Sequence, residues 1–251
     1  MGTQRTVLVT GAARGIGLAI AKKMLDCGHC VAMTDRNEAA LKAAAKVLPA
    51  KRVLAHAADV TDRATPATLD EAIRDRWEPV SILVNNAGIP SSKRNGRAAG
   101  FLELTEEEWH EVLEVNLSAV FRLSRQFLPF MCKQRWGRVV NIASLAGRGR
   151  TFIAGAGYMA SKAGVLALTR AIANEFGRDG VTANSIAPGL IDTSMAAART
   201  AEANAAVINQ IPVRRIGRPE EIAAAAAFLA GEDVGFINGA VIDVNGGIWM
   251  A

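Results

Sequence analysis

Thr6-Val7-Leu8-Val9-Thr10-Gly11-Ala12-Ala13-Arg14-Gly15-Ile16-Gly17 starts as a short β-branched and apolar run, stops at a glycine, and passes into a helical period that continues through Ile20, Met24 and Leu25. The order is strand, glycine turn, helix. At a helix start, unpaired backbone N–H groups and the positive end of the macrodipole favour an anion, and glycines let a pyrophosphate come close to the chain. Gly11, Arg14, Gly15, Ile16 and Gly17 are therefore candidate nucleotide contacts. Their spacing differs by one residue from the commonest dinucleotide-binding pattern.

The same alternation repeats downstream. Val31-Ala32-Met33-Thr34 precedes a helical pattern near residues 38–48, Val53-Leu54-Ala55 precedes one near 67–77, and Ile82-Leu83-Val84 follows. After a longer loop, two long helices flank Arg138-Val139-Val140-Asn141-Ile142; Thr182-Ala183-Asn184-Ser185-Ile186 and Ala240-Val241-Ile242-Asp243 complete the series. Strands that are almost wholly apolar and alternate with helices indicate a parallel sheet covered on both faces. Right-handed crossovers then give an α/β, doubly wound (Rossmann) sheet of about seven strands. No repeat, low-complexity linker or composition break divides the chain, so residues 1–251 are expected to form a single domain.

A length of 251 residues, half of them hydrophobic, suffices for a sizeable core. No apolar run reaches the ~20 residues of a membrane-spanning helix, and Met1 to Thr6 lack the apolar core of a signal peptide, so a cytoplasmic protein is expected. The formal charge of +5 raises the question of nucleic acid, but the basic residues are scattered and aromatics are few. One basic cluster, Lys93-Arg94-Asn95-Gly96-Arg97, reads as a solvated loop tip or a contact for an anionic substrate. Cys27-Gly28-His29-Cys30 has the spacing of a redox dithiol or half a zinc site. It runs from a helix end into a strand, where the helix dipole opposes a thiolate, and no second ligand pair accompanies it. Neither redox nor metal chemistry is expected, and His29, His56 and His110 are assigned none.

Tyr158 and Lys162, in Gly157-Tyr158-Met159-Ala160-Ser161-Lys162-Ala163, stand four residues apart and share one helical face. A cation beside a phenol favours phenolate and moves its pKa from about 10 towards working pH, which suits an acid/base catalyst. A packed tyrosine with a chance lysine neighbour is the ordinary alternative.

The glycine pattern resembles that of the short-chain dehydrogenase/reductase family, and that family's other motifs follow in order. Asp59-Val60 follows the third strand, Asn85-Asn86-Ala87-Gly88 ends the fourth, and Asn116 lies in Val115-Asn116-Leu117. Ser144 closes the fifth strand, ahead of Tyr158 and Lys162; Pro188-Gly189-Leu190-Ile191-Asp192-Thr193 and Asn245-Gly246-Gly247 follow. The resemblance spans nearly the whole chain. It implies an NAD(P)-dependent oxidoreductase interconverting a secondary alcohol and a ketone, with Tyr158 as general acid/base and Ser144 holding the substrate oxygen. Lys162 would lower the Tyr158 pKa and hold the nicotinamide ribose, while Asn116 orders a proton relay. Asp59, Val60, Asn86, Ala87, Gly88, Pro188, Gly189, Ile191 and Thr193 would line the cofactor together with Tyr158 and Lys162. Taken alone, Ser144 reads first as a cap and Asn116 as a backbone partner within its helix; it is their joint presence with Tyr158 and Lys162 that favours chemistry.

Asp35, ending the second strand, suits ribose hydroxyls and repels a 2′-phosphate, whereas Arg14 and Arg36 suit that phosphate; NAD is expected over NADP. The pattern is closest to 3-oxoacyl-carrier-protein reductases and to polyol or sugar dehydrogenases. Asp35, the long loop after Gly88, and Asp179 where carrier-protein reductases often carry a basic residue favour a small polyol, sugar or hydroxy acid. A carrier-protein ketoreductase is the alternative. A catalytically silent nucleotide-binding scaffold and a basic nucleic-acid binder are the readings from other classes. Substrate contacts are expected from residues 89–100, 145–157 and 190–211 and from Trp249, with 193–209 as a helical lid and Arg148 and Arg150 as candidate anion contacts. The resemblance implies a homotetramer, for which the helices over 116–131 and 158–176 are long and apolar enough.

Overall fold

The computed structural model describes residues 3–94, 97–149, 154–193 and 201–250. Seven parallel strands form the central sheet: β1 (Thr6–Thr10), β2 (Cys30–Asp35), β3 (Val53–Ala57), β4 (Ile82–Asn85), β7 (Gly137–Ile142), β8 (Val181–Pro188) and β9 (Val241–Val244), in the order β3-β2-β1-β4-β7-β8-β9. Helices α1 (Gly15–Asp26), α2 (Glu38–Lys46), α3 (Thr65–Arg74), α4 (Glu106–Leu113), α5 (Ala119–Lys133), α6 (Ala156–Phe176), α7 (Ala201–Ile208) and α8 (Pro219–Leu229) connect them. The doubly wound fold expected from the apolar strands is present.

Val7, Leu8 and Val9 of β1 are fully buried, and the two-residue side-chain period sends them to opposite faces. Val7 and Val9 join Ile20 and Met24 of α1 and Ile222 of α8; Leu8 joins Leu69 of α3 and Leu123 and Phe127 of α5. Each such side chain contributes about 1.5–3 kcal/mol on burial, which explains why the strands need no polar alternation. The chain leaves β1 towards β2 and β3, then returns to lay β4 on the other side of β1, with Val9 level with both Met33 and Val84. That reversal opens a crevice beyond the carboxyl ends of β1 and β4.

Two segments differ from their expected form. β5 (Lys93–Arg94) and β6 (Arg97–Ala98) pair antiparallel, so these residues are not a bare loop tip. Arg94 bonds both Glu108 oxygens at 2.8 and 2.9 Å, and Arg97 bonds both oxygens of Glu103, so these two charges are matched within the pair's surroundings. The helix expected over 116–131 is interrupted at its start: Glu114–Ser118 is a π-helical turn joining α4 to α5, a widening that often marks functional sites.

At the opposite end of the sheet from the crevice, Arg5 and Arg138 both lie over the Trp136 ring, at 3.9 and 4.4 Å from its centroid. Arg5 also bonds Glu232, and the buried Arg138 donates to the carbonyls of Gly231 and Gly137. Among the described residues no helix is long and apolar enough to cross a membrane.

Candidate active site

The crevice begins with the turn after β1. Gly11 and Gly15 adopt φ of +63° and +55°, values that side-chain-bearing residues rarely take. Thr10 Oγ1 accepts the N–H groups of Asn86 and Ala87, both at 3.0 Å, while Asn86 Nδ2 donates to the carbonyls of Thr10 and Gly11. These bonds lock the ends of β1 and β4 together. Arg14 precedes α1 in extended conformation with no side-chain cap, and the helix's first turn carries no acid. The positive helix end is thus left for an external anion. Across from it, Thr193 Cγ2 lies 3.3 Å from where a Gly15 Cβ would sit, Pro188 ends β8, Gly189 N–H bonds the Val244 carbonyl, and buried Ile191 bridges to Gly217. The glycine cradle and its bare helix start fit a dinucleotide.

Asp35 Oδ2 accepts the Ala13 N–H at 3.2 Å and Oδ1 the Asn37 N–H at 3.0 Å. Arg14 and Arg36 are exposed at the rim. Asp59 accepts from Thr61 N–H and Oγ1, and that backbone bond, with nearby Arg36, holds its carboxyl below the usual range. Val60 beside it is buried.

At the other end of the crevice, Ser144 caps a short turn, its Oγ accepting the Ala146 N–H at 3.1 Å, and also hydrogen-bonds the Tyr158 hydroxyl. Capping and contact with Tyr158 coexist. Lys162 is buried and its Nζ donates to the Ile142 carbonyl at 2.8 Å; it lies 5.8 Å from the Tyr158 ring centroid and 3.5 Å from where a Gly88 Cβ would be. Asn116, buried in the π-turn, accepts the Ile89 N–H at 2.8 Å and donates to the Ile89 carbonyl and Ser161 Oγ. Its amide ties the end of β4 to α6.

Electrostatically the pair differs from expectation. Burial pushes the Tyr158 phenol up and the Ser144 hydrogen bond pulls it partly back; the lysine does not set the direction. Burial also lowers Lys162 to about 8. A lysine whose folded pKa lies below its unfolded 10.5 destabilises the fold wherever both states are charged, and that penalty disappears as pH rises through 8 to 10.5. Lys162→Met is therefore expected to gain stability over wild type at neutral pH and to lose that advantage at high pH. The difference changes by on the order of 2–3 kcal/mol between about pH 7 and 10.5, as denaturant melts at the two pH values will show. A pH-independent difference would mean that the ammonium is not desolvated.

Behind the site stands a buried polar chain whose members, apart from Asn85 of the Asn85-Asn86-Ala87-Gly88 segment, carry no motif. Asn85 Nδ2 donates to Asn141 Oδ1, Asn141 Nδ2 to Thr169 Oγ1, and Thr169 meets Ser185 Oγ, a buried chain running from β4 through β7 and α6 to β8. The signal in the sequence was a polar Asn141 inside an apolar strand. Arg148 neither stands in solvent nor awaits an anion: it pairs with Asp243 and lies over Trp249. Arg150 and most of the connection before α7 lie outside the described residues. Asp179 pairs with Arg135 at 2.8 Å, beyond the amino-terminal ends of β7 and β8 and away from Tyr158. Cys27 caps the end of α1 while Cys30 opens β2, and His29 Nδ1 accepts the Arg5 N–H at 3.3 Å.

Residues 11–249 match the family model described as enoyl-(acyl carrier protein) reductase. The 3-oxoacyl-[acyl-carrier-protein] reductase FabG of Vibrio cholerae is 40% identical over 98% of both chains. Among solved structures, a 3-oxoacyl-[acyl-carrier protein] reductase with bound NAD from Brucella melitensis shares 36% identity at TM-score 0.90, covering 99% of this chain and 92% of that one. A single-residue variant of the actinorhodin polyketide ketoreductase with NADPH shares 35% at TM-score 0.91, covering 99% of each. The NADPH-bound ketoreductase overturns the expected preference for NAD, since relatives of nearly equal similarity hold either nucleotide. The physical reason lies in Arg14 and Arg36, which stand exposed beside Asp35 and offer guanidinium donors to a 2′-phosphate. The likeness runs through both ends of the crevice and the sheet between them, and on that ground the chain belongs to the short-chain dehydrogenase/reductase family, oxidoreductases of alcohol and keto groups.

Proposed function

We propose that this protein reduces the 3-oxo group of an acyl thioester to a 3-hydroxyacyl thioester. The observation that carries the reading as a ketone reductase is the Ser144–Tyr158 hydrogen bond set beside buried Lys162. The wall next to Tyr158 is built from Ser91, Ala99, Leu104, Val112 and Gly157. The carrier-protein reductases among the relatives support the thioester substrate, and the expected polyol, sugar or hydroxy-acid substrate gives way to the carrier-protein alternative.

The nicotinamide supplies the hydride when bound. Ser144 holds the ketone oxygen, Tyr158 donates its hydroxyl proton to that oxygen as negative charge builds on it, and the raised phenol stays protonated through the neutral range. Lys162, positioned by the Ile142 carbonyl, offers a cation near the ribose and the phenol, and Asn116 keeps the loop after β4 in register with α6. Gly11, Arg14, Gly15, Ile16, Gly17, Asp35, Arg36, Asp59, Val60, Asn86, Ala87, Gly88, Pro188, Gly189, Ile191 and Thr193 would line the cofactor when it is bound.

Initial rates of nucleotide oxidation, run with NADPH and with NADH, test the substrate class. Acetoacetyl thioesters of carrier protein and coenzyme A are expected to be reduced roughly tenfold faster than ketoses, or more; a faster ketose sinks the assignment. Exposed Phe121 stands in a groove of about 830 Å³ where α5 meets α6, lined by Leu117, Phe121, Ala167 and Leu168. Arg63, Glu114, Arg122 and Arg125 line the same groove, so the face is partly apolar and partly charged; it supports a homotetramer, and a monomer mass by light scattering would contradict it.

A further inference from the structure

Arg148 ends the short turn that Ser144 begins. Its N–H bonds the Leu145 carbonyl at 2.9 Å, the Gly147 N–H bonds the Ser144 carbonyl at 3.0 Å, and Ser144 Oγ accepts from Ala146. Displacing one end of so tight a turn displaces the other. One side rests on α6, where a Cβ on Gly147 would stand 2.6 Å from the Lys162 carbonyl carbon. On the other side the half-buried guanidinium of Arg148 pairs with Asp243 of β9 at 3.3 Å and lies 4.4 Å from the Trp249 ring centroid. The tail that carries Trp249 is itself fixed, since Asn245 Nδ2 donates to the Trp249 carbonyl at 2.9 Å. Gly149 leaves no gap, because a Cβ there would meet Trp249 Nε1 at 2.8 Å.

We propose that Arg148 is a positioning residue for Ser144: gripped by Asp243 and Trp249, it fixes the far end of the turn whose near end presents Ser144 to Tyr158. A planar guanidinium stacks on an indole while its edge bonds a carboxylate; a lysine ammonium does not combine the two. Arg148 acts through the turn and does not touch the reacting atoms. The inference rests on reading Ser144 and Tyr158 as one working pair, but its test needs no substrate.

Tyr158 is the one tyrosine of the chain, so tyrosinate absorbance read immediately after a pH jump reports its ionisation directly. The groups facing the phenol are Ser144 on the turn and Lys162 on its own helix. Arg148→Ala is expected to move the midpoint up by roughly half a pH unit or more, as Ser144→Ala does, because the bond that stabilises phenolate is loosened. The double variant moves no further than Ser144→Ala alone, and Arg148→Lys falls between wild type and Arg148→Ala. A wild-type midpoint in Arg148→Ala, or a double shift equal to the sum of the singles, overturns the inference. If Arg148→Ala does not fold, Asp243→Asn carries the same test, an upward shift supporting the inference and an unmoved midpoint overturning it. Failure to reduce any thioester would sink the substrate assignment while leaving this titration to decide the role of Arg148.

Discussion

Tyr158→Phe removes a single oxygen atom and is expected to lower turnover by roughly a thousandfold, with nucleotide affinity changed less than about twofold. The ring remains to fill its place beside Lys162 and Gly157, so the fold and the glycine cradle are undisturbed. What disappears is the hydroxyl proton that Tyr158 gives to the ketone oxygen while Ser144 holds that oxygen. Because the glycine cradle around Gly11, Gly15 and Gly17 is built from other elements, binding and chemistry separate cleanly in this variant. Initial rates together with quenching of tryptophan fluorescence by nucleotide measure the two halves. Turnover retained above roughly a tenth of wild type would assign the acid to another group.

Gly17→Ala is expected to do the reverse, damaging the nucleotide end first. A methyl group there would collide with the Gly11 carbonyl oxygen and stand 2.6 Å from Asn86 Nδ2. Both neighbours are fixed, the first by the positive-φ turn and the second by its bonds to the carbonyls of Thr10 and Gly11. Relief requires α1 to move away from the loop, which weakens the lock between β1 and β4 and withdraws the bare helix start from its anion. The expected cost is about 1–3 kcal/mol of stability and roughly a hundredfold in nucleotide affinity. Thermal melts with and without nucleotide show both effects; an unchanged affinity would mean that the cradle does not hold the pyrophosphate.

The strands were legible because Val7, Leu8, Val9 and their counterparts are buried on both faces, and burial on both faces writes itself as an uninterrupted apolar run. Gly11 and Gly15 were legible because a positive φ leaves few alternatives to glycine. Tyr158 and Lys162 were legible through helical spacing and resemblance. The direction of the Tyr158 shift was not, since it depends on how much protein surrounds the phenol, which no local pattern encodes. Asp35 shows the same limit: a carboxylate at a strand end reads as repelling a 2′-phosphate until Arg14 and Arg36 are found exposed beside it. Arg148 needed Asp243 and Trp249, partners about a hundred residues away in sequence. The pairing of β5 with β6 was hidden because its strands are two residues long and its charges are matched by Glu103 and Glu108 further along.

The stack of Arg5 and Arg138 on Trp136 fastens the amino-terminal ends of the strands, a full sheet length from Tyr158. Its partners, Glu232 and the carbonyl of Gly231, come from the segment after α8, so the entry to β1, the start of β7 and that segment share one joint. Loops at the carboxyl ends can then change length and composition, and substrate with them, without loosening that joint. A chain built this way can exchange one ketone for another through changes at one rim while the opposite rim keeps it folded.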